Sequence, residues 1–151
     1  MTINLTGCLV IASLGFGLAL PAAANPVLER ARQVQAVADA WAAFGAGEFD
    51  ALAAFYAEDT LFVMPGQTDV IEGRSAFRAA LDGIGEAVPP GFKIDAVRYL
   101  TGPDEVVNII DWSADKLPEG STLAITFRFD DEGLISEERW FVDTVQWQAA
   151  F

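Results

Sequence analysis

Apolar residues recur along this chain at two different spacings, and the change between them divides it. From Val27 to Phe44, Val27, Ala31, Val34, Ala38 and Trp41 return every three or four positions, while Glu29, Arg30, Arg32, Gln33 and Asp39 occupy the other face. That period predicts an amphipathic helix with the first set turned to the core, closed by Gly45-Ala46-Gly47. Leu52, Phe55 and Tyr56 predict a short second helix over 49–57, and the β-branched and apolar run 60–64 predicts a strand stopped by Pro65-Gly66. A third helix is expected over 75–84, with Ser75 as its N-cap. From residue 92 the alternation has period two. The runs 92–101, 106–114, 121–130 and 134–142 read as strands, separated by 102–104, 116–120 and 131–133. Helices followed by long strands make an α+β domain, with three helices packed on one face of a strongly curved, mostly antiparallel sheet.

With 116–120 and 131–133 as the turns, Asp111 is expected opposite Ala124, and Ala124 opposite Arg139. Alternation then gives a core face of Val106, Ile110, Trp112, Leu123, Ile125, Phe127, Phe129, Leu134, Trp140 and Val142. Asp111, Ser113, Thr122, Thr126, Arg128, Glu137, Arg139 and Asp143 fall on the opposite face. Asn108 lands among the apolar residues, where a buried amide needs a hydrogen-bonding partner or a ligand.

The first 24 residues have a different character. The apolar run 9–20 is too short for a membrane-spanning helix, which needs about 20 residues. Pro21 and then Ala22-Ala23-Ala24 follow it, a small-residue pattern of the kind cut by signal peptidases. The reading is a signal peptide over 1–24, a domain over 25–151, and a periplasmic or secreted location, with no membrane attachment once the leader is removed. The segment before the run has no Lys or Arg, and the alternative is a buried helix of the domain. Leu5-Thr6-Gly7-Cys8 resembles a lipoprotein box, but its apolar stretch follows the cysteine instead of preceding it.

Composition narrows the chemistry. The chain has 151 residues, 52% of them apolar, and a net charge of −13, enough for one domain with its own core. It has no His and a single Cys, at position 8. A Ser-His or Cys-His couple and imidazole-ligated metals are thereby excluded. The acidic balance excludes nucleic acid as a partner, because displacing phosphate counterions needs clustered Lys and Arg. No cofactor is expected. The run Asp130-Asp131-Glu132 lacks the spacing of a calcium loop and reads as a solvated turn.

Three stretches together resemble a known family. GEFDALAAFYAEDTLFVMPG (47–66), IEGRSAFRAAL (71–81) and FDDEGLISEERWFVD (129–143) occur in the order and spacing of the nuclear transport factor 2-like superfamily, and within it the SnoaL-like polyketide cyclase branch. The resemblance spans about residues 30–147. It implies a cone of helices wrapped by a bent sheet, a pocket for a small hydrophobic molecule, and a homodimer across the sheet's outer face. Fold alone does not select among the family's isomerases, epoxide hydrolases, cyclases and binding modules. The ketosteroid isomerase positions correspond to Ala40, Met64 and Ile125, which cannot supply that chemistry. Of the limonene-type epoxide hydrolase residues, Asp143 matches, but Ile109 stands where an Arg is expected.

The candidate catalytic residues are therefore Asp143 as base, with Arg139 polarising an oxygen and Asp111 orienting the guanidinium. The same three residues also read as an exposed cross-strand ion pair and an N-cap for a terminal turn over 144–151. Trp41, Tyr56, Phe62, Met64, Asn108, Trp112 and Trp140 are the candidate pocket wall, although such aromatics equally make plain core. Two functions stay open: cofactor-free acid/base chemistry (cyclisation, isomerisation or hydration), and a non-catalytic ligand-binding or dimerising module.

Overall fold

A computed structural model of the chain describes residues 25–64 and 70–151. The leader expected over 1–24 and the Pro65-Gly66 stop lie outside the described residues. The first helix, α1 (Pro26–Ala46), begins where Pro supplies a preset φ and Asn25 accepts from the Val27 N–H at 3.0 Å. It ends at Gly47, whose φ of 71° is open to glycine and awkward for other residues. Its buried stripe is Gln33, Val37, Ala40 and Ala43, one position earlier than the expected stripe. Val27 and Ala31 are exposed, and Val34 and Trp41 are only half-buried. Small side chains at positions 40 and 43 let the helix lie close on the sheet, which leaves the bulky Trp41 at the edge of that contact.

The remaining elements are α2 (Phe49–Ala53), β1 (Tyr56–Val63), β2 (Ile71–Glu72), α3 (Arg74–Leu81), α4 (Ile84–Ala87), β3 (Lys93–Thr101), β4 (Glu105–Ala114), β5 (Leu117–Phe129), β6 (Ile135–Phe141) and α5 (Thr144–Ala149). The expected second helix is cut short because Tyr56 already belongs to β1. The third starts one residue early, with Gly73 and not Ser75 at its cap. The strands form one sheet in the order β2-β1-β6-β5-β4-β3, antiparallel except for β1 beside β6. Helices over one face of this curled, open sheet give the α+β cone.

Register departs from expectation by two residues in two places. Asp111 pairs with Thr122, not Ala124, and Arg139 pairs with Thr126. In the first hairpin β5 starts at Leu117, so Asp115 and Lys116 alone make the turn. Gly120 permits this: its φ is 74°, and a Cβ there would meet the Trp112 carbonyl oxygen at 2.6 Å. In the second, the register shifts where Arg128 pairs with Glu137 but Phe129 with Ile135, so Ser136 is the extra residue. An even displacement preserves faces, which is why the expected core face largely stands. The exception is Ile135, buried in place of Leu134 because of that bulge.

Candidate functional site

Beneath α1, between the sheet and the short helices, the side chains leave a hollow instead of closing on one another. Trp41 and Phe44 of α1, Phe77 and Leu81 of α3, and Ile84 and Ala87 of α4 form one wall. Tyr56, Phe62, Phe127 and Trp140 of the sheet form another, and Met64, Phe92 and Trp147 also contribute. The space, mouth included, is about 610 Å³, of which about 50 Å³ is wide enough for the centre of a water molecule. The cavity is a slot between rings, dry enough to favour apolar guests. Tyr56 and Phe77 lie 4.3 Å apart between ring centroids, and Trp147 packs at 5.2 Å from Trp112 and 6.2 Å from Trp140.

One carboxyl group interrupts this apolar wall. Glu138 lies on β6 with Phe62 beside it on β1 and Phe127 beside it on β5, and it is only 3% exposed. The Tyr56 hydroxyl donates to its Oε2, and the Trp140 indole N–H donates to its Oε1 at 2.5 Å. Burial pushes the Glu138 carboxyl up to about 7, against the opposing pull of these two donors. Burial, with the adjacent carboxylate, also raises the Tyr56 hydroxyl well above its ordinary range, so it remains a neutral donor. An acid with that value, enclosed in an apolar slot, can both give and take a proton near neutrality.

Glu138 was not among the residues singled out from the sequence, yet alternation from Trp140 and Val142 puts it on the core face. The signal was a charge in an otherwise apolar register. Of the expected wall, Trp41, Tyr56, Phe62, Met64 and Trp140 line the cavity. Trp112 is buried behind it, against Phe92 and Trp147, and does not line it. Asn108 is wholly buried at a register position between Tyr99 and Ile125, also away from the cavity wall, and among the described residues its amide has no partner.

The expected catalytic trio is not assembled. Asp111 lies on the outer face of the sheet, held by Arg98 at 3.1 Å and by the Thr122 hydroxyl at 2.7 Å. Arg139 pairs with Glu137 of its own strand at 3.0 Å. Asp143 is exposed, and its Oδ1 accepts from the Val145 and Gln146 N–H groups at 2.9 and 3.1 Å, capping α5. The two-residue register displacement separates Asp111 from Arg139, and β6 ends at Phe141, before Asp143 could turn inward. Among the described residues, no group of three or more acidic, His or Cys side chains could hold a metal ion, and no helix is long and apolar enough to cross a membrane.

Comparisons with known proteins agree with this architecture. A family model described as a SnoaL-like domain matches residues 34–138. No curated protein sequence matches the chain. Among solved structures, Bal32a from a soil-derived mobile gene cassette is similar at 22% identity, with a TM-score of 0.66, over 82% of this chain and 98% of that one. TerC co-crystallised with polyporic acid is similar at 19% identity and a TM-score of 0.63, over 78% and 95% of the two chains. Rv0760c from Mycobacterium tuberculosis, in complex with estradiol-17β-hemisuccinate, is similar at 19% identity and a TM-score of 0.53, over 74% and 94%. At these identities the likeness is one of fold.

Proposed function

Because the chain belongs to the family of SnoaL-like domains, in the nuclear transport factor 2-like superfamily, we propose that its cavity holds a small, largely apolar carbonyl compound. On that compound Glu138 moves a proton without a cofactor. The carrying observation is the Glu138 carboxyl, 3% exposed and set into the cavity wall with its value raised to about 7. A base works best when its pKa lies near the operating pH. As carboxylate, Glu138 takes a proton from the carbon next to the carbonyl, and the C–H electron pair moves onto the carbonyl oxygen. Return of the proton to another carbon isomerises the compound, and attack of the enolate on a second carbonyl closes a ring. Tyr56 and Trp140 hold the carboxylate in place. The two ligand complexes among the structural relatives support a small-molecule role.

The test is deuterium exchange into β-tetralone, an apolar enolisable ketone, followed by NMR in deuterated buffer. The wild type should exchange the carbons beside the carbonyl faster than Glu138→Gln by about 10²-fold or more, the usual weight of a positioned acid or base. Equal rates in the two proteins would refute the assignment.

Export and self-association belong to the same proposal. Export is supported by the apolar run and the Ala22-Ala23-Ala24 pattern, with α1 starting just after the expected cut. Dimerisation is supported by the outer face of the sheet. There the rows Leu100-Val107-Thr126 and Ile109-Ala124-Phe141 form a mostly apolar patch, with Leu100 57% and Phe141 52% exposed. The Arg98–Asp111 and Arg139–Glu137 pairs border it, a hydrophobic centre with a polar rim. Light scattering of 25–151 should give twice the chain mass, and a monomer at all concentrations would remove this part.

A further inference from the structure

Three indole rings line the cavity, and their N–H groups are not used alike. That of Trp140 is bonded to Glu138. That of Trp41 is buried and has no acceptor among the described residues. A buried donor left unpaired is destabilising, and a phenyl ring at position 41 would cover the same wall without that cost. Trp41 lines the cavity, and its ring centroid lies 6.2 Å from that of Trp140, the ring that donates to Glu138. Apart from Glu138, its two donors and the indoles of Trp41 and Trp147, the residues around the cavity have apolar side chains. An oxygen acceptor on a bound molecule would satisfy this donor.

We infer that Trp41 is a specificity-determining residue: its indole N–H donates to the carbonyl oxygen of the bound compound, selecting oxygenated guests over hydrocarbons of the same shape. The inference rests on the reading of the cavity as a carbonyl-compound site. It adds to that reading an orientation, with the carbonyl oxygen at Trp41 and the neighbouring carbon at Glu138. When the proton leaves that carbon, the electron pair arrives on the oxygen that the indole already faces, where a hydrogen bond strengthens as charge develops.

The test compares β-tetralone with tetralin, the same two-ring frame without the oxygen, in the wild type and in Trp41→Phe. Binding is read from quenching of the remaining tryptophan fluorescence. The wild type should prefer the ketone by about tenfold or more, and the variant should bring the ratio near one with tetralin binding little changed. A second measurement needs no variant: in an indole ¹⁵N–¹H spectrum of the wild type, the Trp41 signal should move downfield with β-tetralone and hold its place with tetralin. A ratio unchanged by Trp41→Phe, or an unmoved Trp41 signal when the ketone is bound, overturns the inference and leaves the cavity reading standing. If neither compound binds, both fall together.

Discussion

Glu138 governs this site because its protonation is coupled to folding as well as to chemistry. In the unfolded chain its carboxyl titrates at its ordinary value of about 4.5, and in the folded protein at about 7. Between those values the folded state binds the extra proton. The stabilisation is therefore fully present below the unfolded value and is lost as pH rises through the folded one, by roughly 3 kcal/mol in all. Urea midpoints measured near pH 5 and near pH 8 should fall across the window in the wild type. In Glu138→Gln that slope should flatten, since the amide does not titrate, and an unaltered slope would mean that other groups carry it. Tyr56→Phe removes a donor that favours the carboxylate, so it should raise the Glu138 value further, by about one unit for a hydrogen bond to a charged acceptor.

At the scale of elements, α5 decides how Asp143 should be read. Its side chain caps that helix, and the helix carries Trp147, whose ring packs on Phe92, Trp112 and Trp140 at the cavity. Asn caps about as well as Asp, so Asp143→Asn should leave both stability and deuterium exchange near wild type, whereas Asp143→Ala should lose about 1 kcal/mol in a denaturation series. Loss of exchange in Asp143→Asn with folding intact would return the base role to Asp143. The helices, the strand order of the meander and the core face were legible because periods of 3.6 and 2 are written directly in residue types. Register was not, because it turns on Gly120 and Ser136, where a left-handed φ and an extra residue displace every later pair. The misplaced stripe of α1 has a different cause. Gln33 is buried although polar, and Val27 is exposed although apolar, so packing distance at Ala40 and Ala43 outweighed hydropathy. The candidate wall was legible in its aromatics, but the acid among them was passed over.

Over the whole molecule, the cone sets two surfaces back to back. The concave side of the sheet, covered by helices, holds the slot. The convex side displays the apolar rows centred on Val107 and Ile109, with Asp111, Arg98, Arg139 and Glu137 around them. Acid residues therefore divide by environment and not by position in the sequence. Asp111 and Asp143 meet ions, hydroxyls and backbone N–H groups at the surface, whereas Glu138 meets aromatic rings and two fixed donors within. The net charge of −13 favours solubility and disfavours anionic partners, which suits an uncharged guest. All of this turns on one carboxyl being held half-protonated inside a dry slot, and ¹³C NMR of the protein labelled at its Glu carboxyl carbons reads that state directly. The account predicts one Glu resonance that titrates near pH 7, vanishes in Glu138→Gln and moves upward in Tyr56→Phe; a full set of Glu carboxyls ionised by about pH 5 would contradict it.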